Sequence, residues 1–282
     1  MSIDPFAKHV WPLAHGRTLA LGPRAVLMGI LNVTPDSFSD GGKFAALDSA
    51  LRQAEEMAAA GAVIIDVGGE STRPGADPVS SAEEQARVLP VIEALARRSD
   101  MILSVDTYRA DTARLAIQAG AHIVNDVWGL QKERGLAGIA AETGAGLVIM
   151  HTGREREKLP DPVEDQFHFL NRSLEIAAEA GVRPDQIVLD PGFGFAKDTS
   201  ENITLIARFV ELRELRHPWL VGTSRKRFLG KITGREAAER GVGTAATSVA
   251  LRLAGAAIFR VHDVAINADA LKVADAILAR RA

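Results

Sequence analysis

Eight apolar runs follow one another along the chain, and each ends on a polar residue. The first extends from Ala25 to Leu31 and ends at Asn32. The other seven end at or near Asp66, Asp106, Asp126, His151, Asp190, Ser224 and His262. Continuous apolar runs, without strict alternation, are typical of strands buried on both faces of a parallel sheet.

Stretches with apolar residues at helical spacing separate these runs. They cover residues 48–60, 81–98, 111–119, 135–143, 165–180, 201–216, 236–254 and 263–281. The second begins Ser81-Ala-Glu-Glu, which resembles a helix-capping box. Eight strands alternating with eight helices in 282 residues predict an α/β fold, a single-domain (β/α)8 TIM barrel over residues 25–282.

Residues 1–24 precede the first barrel strand as an N-terminal extension. Two arrangements are open for this segment: a hairpin, or a cover over one end of the barrel. No Gly-x-Gly-x-x-Gly follows the first strand, which argues against an open dinucleotide-binding sheet.

Composition restricts the partners of the chain. The net charge is −3, so nothing favours nucleic acid or an anionic membrane surface. The absence of cysteine excludes disulfides, thiolate catalysis and cysteine-bound zinc. No apolar run reaches the ~18–20 residues of a membrane helix, and Met1-Ser-Ile-Asp-Pro-Phe lacks the pattern of a signal peptide. We therefore expect a cytoplasmic protein that acts on small molecules.

Carboxylates and an amide at several strand ends predict a binding site for a flat heterocycle. In a barrel of this kind the carboxyl ends of the strands converge on the active site. Asp106, Asn125, Asp190 and Lys226 would offer acceptors to ring N–H groups and one cation to a ring oxygen or nitrogen. Taken singly, Asp190 could be a turn residue before Pro-Gly, and Lys226 a solvated lysine.

A second set of polar residues predicts an anion site. Arg260 and His262 alternate on the last strand, so their side chains should point the same way. Asn32, with the loop hydroxyls of Thr34 and Thr72, could complete the site. One amide oxygen from Asn32 would suit a Mg²⁺ ion that keeps most of its water and phosphate ligands. Alternatively His262 is a structural histidine, which is the interpretation we favour for His151.

The ordered motifs of the chain resemble those of the dihydropteroate synthase family, part of the pterin-binding barrel superfamily. The matching stretches are residues 29–42, Ile65-Asp-Val-Gly-Gly-Glu-Ser-Thr-Arg-Pro-Gly75, 104–107, 124–126, Asp190-Pro-Gly-Phe-Gly-Phe195, 222–226 and 260–263. The resemblance implies condensation of 6-hydroxymethyl-7,8-dihydropterin diphosphate with 4-aminobenzoate, giving 7,8-dihydropteroate and diphosphate by an SN1-like route. It also implies a Mg²⁺ cofactor and a homodimer formed through C-terminal helices.

The resemblance also assigns residues to subsites. The catalytic residues would be Asp106, Lys226, Arg260 and His262. The pterin would contact Asp106, Asn125, Asp190, Lys226, Met150, Val127, Ile30, Gly222 and Phe195. Diphosphate would contact Asn32, Thr72, Arg260 and His262, with Asn32 also at the metal. The aminobenzoate pocket would contain Phe38, Arg73, Pro74, Phe195 and Lys226.

Two departures from the family pattern concern the loops. Thr152-Gly-Arg-Glu-Arg-Glu157 follows Met150-His151 where the family often has Met-x-Gly, and Arg227 replaces a frequent serine. Arg227 could pair with the aminobenzoate carboxylate or point to solvent.

Two other functions are compatible with a pterin pocket. A methyltetrahydrofolate–corrinoid methyltransferase would need no diphosphate site, whereas a non-catalytic pterin-binding paralogue would lose loop residues or the anion site. The intact Ser71-Thr-Arg-Pro74 segment and the pair Arg260 and His262 argue against both.

Overall fold

The computed structural model describes residues 4–33, 42–70 and 79–280. Its strands are β1 (His9–Pro12), β2 (Thr18–Leu21), β3 (Val26–Asn32), β4 (Ile64–Gly68), β5 (Ile102–Asp106), β6 (Ile123–Asp126), β7 (Gly146–Met150), β8 (Ile187–Asp190), β9 (Leu220–Val221) and β10 (Ile258–Val261). Strands β3 to β10 form one sheet of eight parallel strands in the order β8-β7-β6-β5-β4-β3-β10-β9.

The two edges of this sheet meet beside β9. The N–H of Leu189 donates to the carbonyl oxygen of Pro218 at 3.0 Å, and Leu189 forms a parallel bridge with Trp219. The sheet therefore closes on itself, and the predicted (β/α)8 barrel is confirmed.

Nine α-helices surround the barrel in the described part of the chain. They are α1 (Gly42–Ala59), α2 (Ser81–Arg98), α3 (Ala110–Gln118), α4 (Gly135–Thr143), α5 (Pro162–Glu179), α6 (Thr199–Ala207), α7 (Arg227–Thr233), α8 (Gly241–Leu253) and α9 (Val264–Leu278). Ser80 caps α2 with a capping box. Within the described ranges, no helix combines the length and apolar character needed to cross a membrane.

Two predicted helices were wrong in extent, and one helix was missed. The stretch 201–216 is divided at Arg208, because α6 ends there and Phe209–Leu215 continues as a 3₁₀ helix. The predicted helix 236–254 begins only at Gly241, after a short 3₁₀ turn. The sequence did not predict α7, which starts directly after Lys226 and ends at Gly234 in the left-handed conformation.

Alternation of side chains along each strand separates two environments. On β4, Ile65 and Val67 pack outward under the helices, whereas Ile64 and Asp66 point into the barrel. The lower interior is apolar and includes Met28, Ile102 and Val148. The upper interior carries the polar residues, so the strand pattern itself positions a polar site at the carboxyl ends.

The N-terminal segment forms a hairpin and covers the lower end of the barrel, so both expected arrangements are present. Strands β1 and β2 pair antiparallel, with Trp11 opposite Leu19. Trp11, Leu13 and Leu21 are buried against the first residues of the barrel strands. The indole N–H of Trp11 donates to the carbonyl oxygen of Gln186 at 2.7 Å, which satisfies its polar atom inside the apolar layer.

Candidate functional site

The guanidinium of Arg260 lies between two carboxylates at the upper end of the barrel. Its Nε donates to Asp66 Oδ2 and its Nη2 donates to Asp106 Oδ2, both at 2.6 Å. Asp66 is fully buried and also accepts a hydrogen bond from Asn125 Nδ2 at 3.0 Å. Asp66 thus links Arg260 and Asn125, which come from strands on either side of it.

This contact changes the division into two sets that the sequence suggested. Arg260 was assigned to the anion set, yet in the structure it is bonded to Asp106 of the heterocycle set. Its role toward diphosphate stays a prediction, but the two sets are not spatially separate. They share this guanidinium, because the Arg260 side chain from β10 reaches Asp106 on β5.

Electrostatic competition sets the charge state of these residues. Burial raises the pKa of Asp106, the charge of Arg260 opposes that rise, and nearby Asp66 adds to it. Burial alone would lower the pKa of Arg260, but Asp66 and Asp106 outweigh it and raise that pKa. Two carboxylates therefore share one permanent cation, and ionisation of Asp106 leaves excess negative charge at the upper end of the barrel.

Asp190 ends β8 with its carboxyl group turned into the barrel. Its Oδ1 accepts the N–H of Gly192 at 2.7 Å, and Gly192 has φ +65°, where a Cβ would lie 1.9 Å from the carbonyl oxygen of His151. Only glycine fits there, and the resulting tight turn orients the carboxylate. Burial raises the pKa of Asp190 to about 6, although the Gly192 N–H and the charge of Lys226 act against it.

Lys226 and Phe195 contact each other in the site. The Lys226 ammonium lies 4.0 Å from the centroid of the Phe195 ring, and its stem passes Gly194, where a Cβ would be 2.9 Å from Lys226 Cδ. Burial lowers the pKa of Lys226 to about 8, with Arg260 acting in the same direction. Val127, Met150 and Phe195 pack together as a separate apolar cluster, with Trp128 partly buried against it.

The remaining described candidates lie on or just after β3, β9 and β10. Ile30 is buried on β3. Gly222 follows β9, and a Cβ added there would lie 3.9 Å from Arg260 Cβ. Asn32 ends β3 opposite Gly68 of β4. The Oγ of Ser224 lies 2.9 Å from His262 Nδ1 and accepts the His262 backbone N–H at 3.1 Å.

Thr34, Phe38, Thr72, Arg73 and Pro74 lie outside the described residues.

One strand-end carboxylate does not join the site. Asp126 accepts the backbone N–H groups of Trp128 and Leu130, and so orders the loop after β6.

Behind the site, a buried network joins the loops that follow β7 and β8. His151 is fully buried, with Nε2 3.0 Å from Asp165 Oδ2 and Nδ1 2.8 Å from the ammonium of Lys197. Lys197 also donates to the carbonyl oxygen of Gly192 at 2.9 Å, and Arg156 donates to Asp165. The Nε2 atom of His151 also lies 2.9 Å from Arg156 Nη2, so it faces a carboxylate and a guanidinium together. His151 therefore joins the two loops, and the sequence did not indicate its partner Lys197.

Burial controls ionisation in this network. It lowers the pKa of His151 to about 3, with Lys197 contributing, so the imidazole is neutral at pH 7. It also lowers the pKa of Lys197 to about 7, although Asp190 and Asp165 oppose that change. Two partly buried residues, Trp128 and Arg154, were likewise missed as site neighbours, because they belong to no motif that marks chemistry.

Comparison with known proteins identifies the group to which this architecture belongs. The family model for pterin binding enzymes matches residues 28–262. A dihydropteroate synthase of Synechocystis is 46% identical over 274 residues, which cover 94% of this chain and 95% of that protein. The chain therefore belongs to the family of pterin-binding enzymes. Its relatives within that family, at 44–47% identity, are dihydropteroate synthases, so the resemblance drawn from the motifs is confirmed.

Solved structures agree. Dihydropteroate synthase from Clostridium difficile, in the presence of pteroic acid, is similar with a TM-score of 0.89 and 47% identity, covering 91% of this chain and 98% of that one. The Xanthomonas albilineans dihydropteroate synthase with 4-aminobenzoic acid has a TM-score of 0.89 and 41% identity, covering 95% and 98%.

Replacing Lys197 should change how stability depends on pH. Its ordinary pKa of ~10.4 applies in the unfolded chain, whereas the folded value is about 7. Between these values the unfolded state binds the extra proton, so the free energy of unfolding rises with pH, by at most ~1.4 kcal/mol per unit. Urea unfolding at pH 7, 8 and 9 should show the wild type gaining stability relative to Lys197→Met.

The matched control is Lys197→Arg, because its guanidinium stays protonated in both states. This variant should not show the relative gain. Parallel pH dependences for the wild type and Lys197→Met would contradict the assigned state of the buried ammonium.

Proposed function

We propose that the chain condenses 6-hydroxymethyl-7,8-dihydropterin diphosphate with 4-aminobenzoate, releasing 7,8-dihydropteroate and diphosphate. The observation that carries this proposal is the convergence of Asp106, Asn125, Asp190 and Lys226 at the upper end of the barrel. These groups surround the apolar wall of Val127, Met150 and Phe195. Hydrogen-bonding groups around an apolar slot suit a flat heterocycle with several N–H donors.

The pterin would lie in this slot with its N–H edge on Asp190. The Oδ1 atom of Asp190 is fixed by Gly192, which holds the carboxylate in one orientation for paired hydrogen bonds. Lys226 would donate to a ring acceptor, and Asn125, oriented by Asp66, would bond a further ring group. Phe195 and Met150 would cover one face of the ring.

In the chemical step, the bond between the pterin methylene carbon and the diphosphate oxygen breaks, and its electron pair leaves with diphosphate. The methylene cation is delocalised into the ring, where the excess negative charge of Asp66 and Asp106 around Arg260 stabilises it. The aryl amine then forms the new carbon–nitrogen bond and loses a proton. Because the electrophile is a cation, a weakly basic amine can attack without a strong protein base.

Mg²⁺ is proposed as the cofactor at the diphosphate. Within the described ranges, no three His, Asp or Glu residues are grouped so as to hold a metal ion. A single amide oxygen from Asn32, at the end of β3, fits Mg²⁺ bound mainly by phosphate and water. When bound, the ion would supply charge neutralisation to the leaving group.

We also propose a homodimer formed through the C-terminal helices. Helices α8 and α9 pack on each other and expose apolar residues, with Val242 76% and Val273 60% exposed. Light scattering should give twice the 30.1 kDa chain mass, and Val273→Glu should shift the mass toward the monomer. A wild type that remains monomeric at micromolar concentration would contradict this.

The direct test of the reaction is a diphosphate-release assay. Release should require both 4-aminobenzoate and Mg²⁺. A methyltransferase would instead consume methyltetrahydrofolate, and a non-catalytic paralogue would bind pterin without releasing diphosphate.

Asp190→Ala should raise the dissociation constant of a phosphate-free pterin by about 10²–10⁴, since two charge-assisted hydrogen bonds are lost. In the wild type, affinity should also fall as pH drops below about 6, because protonation of Asp190 competes with the ligand. Calorimetry measures both effects. Asp190→Asn should lose the pH dependence centred near 6, and a change of less than fivefold in Asp190→Ala would refute the assignment.

Arg260 should act on the leaving group more than on the pterin. Arg260→Lys keeps a charge beside Asp66 and Asp106 but loses the paired geometry, so it should slow turnover by about 10²–10³ while phosphate-free pterin binds almost normally. Arg260→Ala leaves two adjacent buried carboxylates and should also destabilise the fold. Equal losses in turnover and pterin affinity for Arg260→Lys would place Arg260 in the heterocycle pocket.

A further inference from the structure

Two cations contact the same aromatic ring at the mouth of the barrel. The Arg154 guanidinium carbon lies 4.7 Å from the Phe195 centroid, and the Lys226 ammonium lies 4.0 Å from it. Arg154 is also 5.7 Å from the ring of Trp128. The guanidinium thus lies on the aromatic rim, above the slot that contains Asp106 and Asp190.

The loop after β7 places Arg154 there. Its backbone N–H donates to Thr152 Oγ1 at 3.2 Å, and Glu155 follows in the left-handed conformation at φ 56°. Arg156 anchors the other side of the turn, because it donates to the carbonyl oxygen of Thr152 and to Asp165. The loop is therefore anchored below, while Arg154 extends over Phe195. This segment is also where the chain departs from the family pattern.

The mouth of the barrel has a deep level and a rim, and the two differ in charge. Asp66, Asp106 and Asp190 lie deep, and Arg260 is bonded to the first two. Arg154 lies at the rim beside Phe195, whereas Lys226 contacts the same ring from within the slot. An aromatic amine that carries a carboxylate at its far end would be repelled if it entered carboxylate first. It is attracted when the amine points inward and the carboxylate remains at the rim.

We propose that Arg154 is a specificity-determining residue that binds the carboxylate of the aryl amine substrate while the substrate ring packs beside Phe195. The inference rests on the proposed function, and it selects Arg154 over Arg227. A guanidinium can pair with a carboxylate through two parallel hydrogen bonds, and its flat face stacks on an aromatic ring. Arg227, in contrast, is the exposed first residue of α7.

Steady-state kinetics with two aryl amines test the assignment. Arg154→Gln should raise the KM for 4-aminobenzoate by about 10–100-fold, the usual effect of losing a hydrogen-bonded charge pair. It should change kcat/KM for the uncharged 4-aminobenzamide less than about threefold. Arg154→Lys, which keeps the charge but not the paired geometry, should fall between wild type and Arg154→Gln.

Lys132→Gln is the matched control, because the Lys132 ammonium lies 3.8 Å from the centroid of the Trp128 ring. This substitution removes the same unit of charge from the rim. It should leave the ratio of the two substrates unchanged. An unchanged dissociation constant for phosphate-free pterin would show that Arg154→Gln is folded.

Equal losses for both aryl amines in Arg154→Gln would overturn the proposal and assign Arg154 to support of Phe195. A selective loss in Arg227→Gln alone would overturn it in favour of Arg227. A wild type without turnover would refute the proposed function instead. In that case calorimetry should measure 4-aminobenzoate binding to the pterin-loaded wild type and to pterin-loaded Arg154→Gln, which tests the same assignment. An absence of binding to the wild type would also overturn the proposal.

Discussion

The site depends on one buried guanidinium that is shared by two carboxylates. Arg260 bonds Asp66 on β4 and Asp106 on β5 at the same distance, 2.6 Å. Removing one member of such a buried group typically costs about 3–5 kcal/mol, because a charge is left without compensation. Asp66 extends the constraint to Asn125 on β6. The carboxyl ends of β4, β5, β6 and β10 are thereby held in one arrangement. This arrangement shapes the proposed heterocycle pocket.

The barrel itself could be predicted from the sequence, since each buried strand is a run of apolar residues that ends on a polar one. Less predictable were elements whose signal is local. Phe209–Leu215 has helical composition, but the backbone departs from the α-helix at Arg208, where φ is −104° and ψ is 14°. Arg208 forms ion pairs there with Asp161 and Glu211. Helix α7 is too short for apolar periodicity to indicate it.

The site residues that could be predicted from the sequence are those at the ends of strands. Asp106, Asn125, Asp190 and Arg260 could be named because the barrel brings those ends together. Lys197 and Arg154 could not, because their partners lie on other loops. Lys197 contacts His151, 46 residues away, and Arg154 contacts Phe195. Nor could the sequence show that Arg260 bonds Asp106, since side-chain direction across the barrel depends on the register of strands distant in the chain.

The hairpin of β1 and β2 covers the lower end of the barrel, below an interior already packed with side chains such as Met28, Ile102 and Val148. In the described part of the chain, the deep carboxylates therefore open toward the rim. Two ligands stacked in such a blind well must follow a last-in, first-out order. The molecule bound deepest must arrive before its partner, and the partner's departure or covalent joining decides when it can leave. The closed lower end of the barrel thus imposes an order of events on any two ligands that share the upper opening.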